Sequence, residues 1–187
     1  AIVGVPVIAG NILLNCAAVI QKGDLLALIP KTFLPNYSEF YEKRWFASSQ
    51  DLNPIDILYA GSSIHITNQP TIFRTYTGAT FGIELCEDVW APEPPSTRLC
   101  LSGADIIFNL SASDELIGKH NYLCSLLSQQ SARTMSGYVY SSSGFGESTQ
   151  DLVYGGNALI YENGNEVASS ERFSFESQML VAQIDYE

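Results

Sequence analysis

The sequence predicts a mixed α/β layered fold. Apolar runs split by short turn signals stand at both ends of the chain and read as hairpins, whereas the middle alternates strand-like runs with a stretch of helical period. The 187 residues, 46% hydrophobic and 16% charged, suffice for one domain with its own core and exclude a disordered or low-complexity chain.

Residues 2–8, 12–20 and 25–29 are apolar runs separated by Ala9-Gly10-Asn11 and by Gln21-Lys22-Gly23-Asp24, which makes a β-meander. Runs apolar on both faces belong to sheets covered on both sides. Pro30 and Lys31 end the third strand, and residues 35–46 read as a loop with a short helix. Residues 64–73 and 79–85 are strand candidates, and Pro70 makes the first of them an edge strand or a broken one. Pro92, Pro94 and Pro95 open the next segment, with Ser96 as the cap of a helix toward Leu101 and Gly103 to close it. Residues 104–110 form a strand that ends in polar Ser111-Ala112-Ser113. Over residues 119–135, Tyr122, Leu123, Leu126, Leu127 and Ala132 recur at the spacing of an amphipathic helix. Residues 138–140, 158–161 and 179–184 complete the strands, with a turn at Glu162-Asn163-Gly164-Asn165.

Nine Lys and Arg against 20 Asp and Glu leave a net charge of −11. Such a surface repels phosphate backbones, so nucleic acid and anionic membranes are not expected as partners. Beyond Arg133 the one basic residue is Arg172, against eight acids, which reads as a solvated acidic face before a docking patch. Cys16, Cys86, Cys100 and Cys124 are far apart and form no C-x-x-C pair, the usage of reduced thiols in a cytoplasmic protein. The apolar first 20 residues lack a basic leader and are interrupted by Gly4, Pro6, Gly10, Asn11 and Asn15, so they fit neither a signal peptide nor a membrane span. There is no G-x-S-x-G, Gly144-Phe145-Gly146 lacks the third glycine of a dinucleotide fingerprint, and His65 and His120 have no zinc-ligand spacing. No metal site is expected.

Cys86 follows the strand-like Thr80-Phe81-Gly82-Ile83-Glu84-Leu85 and precedes polar Glu87-Asp88. In layered α/β proteins ligands gather at the carboxyl ends of strands. An isolated cysteine is more often a buried structural thiol. Glu84, Glu87 and Asp88 also hinder thiolate formation unless a cation or base compensates. Lys31, at the end of another apolar strand, is either that cation or a solvated loop residue, and spacing alone does not pair the two.

The run Pro30-Lys31-Thr32-Phe33-Leu34-Pro35, continuing through Tyr37 and Glu42 to Phe46, resembles the lysine motif of the nitrilase (carbon–nitrogen hydrolase) superfamily. Glu84-Leu85-Cys86-Glu87-Asp88-Val89-Trp90 resembles its nucleophile motif. Asn109-Leu110-Ser111-Ala112-Ser113, Gly118-Lys119, Gln130-Ser131-Ala132-Arg133 and residues 144–153 are similar, in order and position, to the glutaminase domain of glutamine-dependent NAD synthetases. The resemblance runs nearly end to end. It implies a four-layer α-β-β-α sandwich, incomplete at the N-terminus, with residues 1–187 as a single glutaminase domain.

The same resemblance implies Cys86 as nucleophile and Lys31 as the lysine of a Cys-Lys-Glu trio. The general-base Glu falls on an earlier strand that no residue here matches, so impaired activity is expected of this chain by itself. The backbone N–H of Glu87 joins Lys31 around the oxyanion, and Glu42 assists Lys31. Tyr37, Glu42, Trp90, Ser113 and Lys119 fall in the pocket for L-glutamine. No cofactor is implied for this domain, because ATP and deamido-NAD bind a separate synthetase domain. That domain is the implied partner within a homo-oligomer, with residues 144–153 either a contact loop or an ordinary connection. Two other readings stay open, a nitrilase-type amidase for another small amide and a non-catalytic structural fragment.

Overall fold

Short turns with left-handed backbone organise the first part of the chain in the computed structural model, which describes residues 1–147 and 151–186. The chain divides into two units, Ala1–Thr71 and Ile72–Glu187. In the first, β1 (Ile2–Ala9), β2 (Ile12–Gln21) and β3 (Asp24–Pro30) pair antiparallel in that order, as the meander pattern requires. Lys22 and Gly23 turn β2 into β3 with φ of 52° and 93°, the double positive φ that matches the twist of a tight hairpin.

A second hairpin, β4 (Ile55–Tyr59) and β5 (Ser62–Ile66), turns at Ala60-Gly61 and replaces the single strand expected over residues 64–73. Pairing stops at Ile66, and Pro70, with no N–H to donate, keeps the next stretch out of the ladder. Val7, Leu14, Cys16, Leu28, Ile64 and Ile66 belong to the core of this unit. The expected cover on both faces holds for Cys16 to Val19 of β2 and fails for β1, where Ile8 is 71% exposed. Alternation along a pleated strand explains the difference: Val7 and Ala9 point inward and Ile8 outward.

The second unit is one six-stranded sheet, β6 (Phe73–Arg74), β7 (Thr80–Leu85), β8 (Ile106–Ser111), β9 (Gly137–Ser142), β10 (Ala158–Glu162) and β11 (Asn165–Ser169), in that spatial order. The pairs β7–β8 and β8–β9 are parallel and the outer pairs antiparallel. Parallel neighbours need crossovers, which α1 (Pro95–Leu101) and α2 (Lys119–Thr134) supply. Leu99 of α1 and Leu123 and Leu127 of α2 meet Ile107, Tyr138, Tyr140, Leu159 and Tyr161 in a core on one face of the sheet. The register sets Leu85 beside Leu110 and Leu110 beside Ser141, so the carboxyl ends of β7, β8 and β9 lie together.

Two expectations change here. Ser96 does not cap α1. Pro94 is the cap, Ser96 lies inside the first turn, and its own N–H goes to the Glu84 carboxylate at 2.7 Å, so β7 satisfies a donor at the helix end. Residues 179–184 form no strand. Ile184 lies against Gly137 and the Asp185 N–H goes to Glu162, so the segment crosses the sheet instead of extending it. The edge position beside β10 belongs to β11, reached through Asn163-Gly164 at φ of 47° and 88°. Of the motif at residues 144–153, Ser148, Thr149 and Gln150 lie outside the described residues.

Gly82 is a close-approach position: a Cβ there meets the Leu99 side chain at 2.9 Å. Gly82→Ala is therefore expected to push α1 off β7 and destabilise the protein by about 1–3 kcal/mol, the usual range for overpacking. Urea unfolding measures it, and an unchanged midpoint would show that Leu99 yields without loss.

Candidate active site

Lys31 is the first residue after β3, and its N–H continues the β2 ladder to the Asn15 carbonyl at 2.8 Å. That register turns the side chain inward, where Lys31 is only 1% exposed. A buried ammonium needs a counter-charge. The 3-10 turn Glu42–Arg44 supplies it: Lys31 Nζ donates to both Glu42 carboxylate oxygens, at 2.8 and 2.9 Å. Two of the expected site residues of the first unit are thus brought together. Tyr37, the third, stands 54% exposed in the intervening loop, its ring edge-on to Phe40 at 6.0 Å.

In the second unit Cys86 follows β7 and begins a 3-10 turn, Cys86–Trp90. Its φ is 44°, in the left-handed region, a conformation that costs a side-chain-bearing residue about 1–2 kcal/mol. Strain of this kind persists where surrounding bonds over-determine it. Two bonds do so here. The Asp88 carboxylate accepts the Leu85 N–H at 2.8 Å, and the Asn109 side-chain carbonyl on β8 accepts the Cys86 N–H at 3.1 Å. The result is a thiol projected at the carboxyl end of a parallel strand, half-buried, with Glu87 next in the turn.

The acids beside Cys86 do not act as a block. Glu84 and Asp88 are each 1% exposed and bonded elsewhere, Asp88 to the Leu85 N–H. Glu84 accepts from the Ser96 N–H and from the Tyr138 hydroxyl. Burial pushes its carboxyl above the ordinary range, and the bonds from Tyr138 and Ser96 pull it back down. Tyr138 in turn receives the Asn109 side-chain N–H at 3.1 Å. Burial also raises the phenol of Tyr140, with the charge of Cys86 adding to the effect.

Trp90 and Lys119 come together at the N-terminal end of α2. The Lys119 ammonium lies 5.6 Å from the Trp90 ring centroid, and Trp90 stacks on Tyr122 at 5.6 Å and 9°. Lys119 also forms an ion pair with buried Asp114. Ser113 is buried just beyond β8, and its N–H goes to the Ser142 hydroxyl on β9 at 3.2 Å. Asp114 and Tyr138 carry no motif signal, and Asn109 appeared only as part of a motif without a role. Their roles depend on strand neighbours distant in sequence. Among the described residues no group of three or more His, Cys, Asp and Glu is arranged to hold a metal ion, and no helix is long and apolar enough to cross a membrane.

No family profile matches the chain. It is 37% identical over 187 residues to the glutamine-dependent NAD(+) synthetase of Mycobacterium bovis, a match covering 100% of this chain and 27% of that protein. The solved glutamine-dependent NAD(+) synthetase from Cytophaga hutchinsonii superposes with a TM-score of 0.80 at 26% identity, over 94% of this chain and 28% of that one. A Nesterenkonia amidase from the nitrilase superfamily shares the fold, with a TM-score of 0.69 at 17% identity, over 90% of this chain and 55% of that one. The chain therefore spans about a quarter of the length of the curated relatives it matches, 27% in the first case.

The pair in the first unit makes a direct prediction. Glu42→Gln leaves a buried ammonium without its carboxylate and is expected to destabilise the protein by about 1–3 kcal/mol. Adding Lys31→Met should recover part of that loss, because an apolar side chain needs no counter-charge. Chemical denaturation of the two variants checks both signs, and a double variant less stable than Glu42→Gln would contradict the account.

Proposed function

We propose, for a chain that belongs to the nitrilase superfamily as a homologue of the glutamine-dependent NAD(+) synthetases, that it is the glutamine amidohydrolase part of such an enzyme. The observation that carries the reading is the whole-length match at 37% identity, with Cys86 at the carboxyl end of a parallel strand in a backbone conformation that few side chains adopt.

The chemistry accounts for the residue types. A carboxamide is a poor electrophile, so a thiolate divides its hydrolysis into thioester formation and thioester hydrolysis. The Cys86 sulfur bonds the glutamine δ-carbon and the C–N bond breaks. The thiol proton leaves on ammonia, by way of the general-base Glu that the family resemblance implies. Water then cleaves the thioester, releasing glutamate and restoring the thiol. Lys31 and the Glu87 backbone N–H stabilise the tetrahedral oxyanion, and one such donor is typically worth about 3 kcal/mol of barrier. Glu42 keeps the ammonium of Lys31 in place.

Recognition of the substrate falls to Tyr37, Trp90, Ser113 and Lys119, which present two hydroxyls, an indole face and an ammonium for the α-amino and α-carboxylate groups. The ammonia passes to a synthetase domain that makes NAD from deamido-NAD with ATP, in a homo-oligomeric cytoplasmic enzyme. This part needs no cofactor of its own.

In a protein extended to the full length of its relatives, Cys86→Ala is expected to lower glutamine-dependent NAD formation by ~10^4-fold or more, as loss of a nucleophile does elsewhere. NAD formation from added ammonia should remain. Glutamine consumption unaffected by the substitution, or faster hydrolysis of another small amide than of glutamine, would refute the reading.

A further inference from the structure

The interior of the second unit holds a line of polar side chains that the proposed reaction does not use. From one end it runs from the Ser96 N–H to Glu84 at 2.7 Å and from Glu84 to the Tyr138 hydroxyl. It continues from Tyr138 to the Asn109 side chain at 3.1 Å, and from Asn109 to the Cys86 N–H at 3.1 Å. Gln130 closes the far side through the Ser96 hydroxyl at 3.0 Å. Glu84, Asn109, Tyr138, Ser96 and Gln130 are all buried.

We propose that Glu84 and Tyr138 are positioning residues for the nucleophile, acting through Asn109 by setting which end of its amide faces Cys86. The inference rests on the reading of Cys86 as the nucleophile. Both termini of the line are backbone N–H groups, and a backbone donor cannot reverse. A carboxylate accepts at both oxygens. It therefore takes the Ser96 N–H on one side and the Tyr138 proton on the other. With its proton committed to Glu84, Tyr138 can only accept from Asn109, so the Asn109 NH2 turns toward Tyr138 and its carbonyl toward Cys86. That carbonyl also accepts from the Ser111 hydroxyl at 2.8 Å, which agrees with the orientation.

An isosteric amide at position 84 breaks this logic without changing shape. Gln has one acceptor and one donor end, and the fixed Ser96 N–H claims the acceptor. The Tyr138 hydroxyl must then donate to Asn109, the Asn109 amide flips, and its NH2 confronts the Cys86 N–H. Two donors face each other at the turn that aims the thiol.

The test is a double-variant cycle on the whole chain, read by the rate at which iodoacetamide alkylates Cys86, followed on the Cys86 peptide by mass spectrometry. Glu84→Gln is expected to slow alkylation about 10-fold or more, the scale of one buried bond lost at the turn. Tyr138→Phe, which deletes the hydroxyl that transmits polarity, should slow it less. Adding Glu84→Gln to Tyr138→Phe should then cost less than Glu84→Gln does alone, the remainder passing through the direct approach of Asn109 to Glu84. An effect of Glu84→Gln on the alkylation rate that is undiminished in the Tyr138→Phe background would overturn the relay; because touching residues couple in stability whatever their role, the rate at Cys86 and not the unfolding free energy decides.

If Glu84→Gln does not fold, hydrogen exchange in Tyr138→Phe decides. Faster exchange at the Cys86 amide with Ile83 and Ile107 unchanged supports the relay, and an unchanged Cys86 amide refutes it. Because alkylation needs no glutamine, a chain that follows these rates yet leaves glutamine intact keeps the relay and loses the proposed reaction.

Discussion

Two backbone N–H groups, those of Cys86 and Ser96, point toward the polar interior of the second unit, and neither can turn away. Cys86 owes its donor to a left-handed turn at the end of β7, and Ser96 owes its own to the first turn of α1. Each unmet donor in such a place would cost about 1–3 kcal/mol. Glu84 meets one, Asn109 meets the other, and Tyr138 joins them. The three strands that carry these side chains are adjacent and central, so the sheet order is also the order of the polar line. Packing follows the same plan. Gly82, two residues before Glu84 on the same face of β7, lets Leu99 approach, and with it the helix whose N-terminus the carboxylate caps.

The first unit solves a different problem with the same economy. Lys31 is carried inward by its ladder bond to Asn15, and the chain must return a carboxylate to it. It does so eleven residues later, through a loop that contains Pro35 and a single 3-10 turn at Glu42. A bidentate pair of this kind fixes direction as well as charge.

The other residues that the family resemblance singles out differ in character. Trp90 and Lys119 are held against each other and against Tyr122 and Asp114. Tyr37 is exposed on a loop, with its ring edge-on to Phe40 and its carbonyl accepting the Phe40 N–H.

Sequence alone determined the parts whose signal is local. Turn residues and alternation located β1 to β3, the helical spacing located α2, and the strand-then-polar pattern located Cys86 and Lys31 at strand ends. Motif order then supplied their family. It did not reveal β4 or β11, whose partners are set by pairing, and it overstated the apolar run at residues 179–184, which forms no strand. It also read Glu84 and Asp88 as charges that oppose the thiol. Only the tertiary structure decided that these carboxylates are turned to buried N–H groups and hydroxyls. The physical reason is that a hydrogen bond between neighbouring strands or between a strand and a helix end depends on register. Glu84, Asn109 and Tyr138 are far apart in the chain and become partners only when β7, β8 and β9 align in parallel.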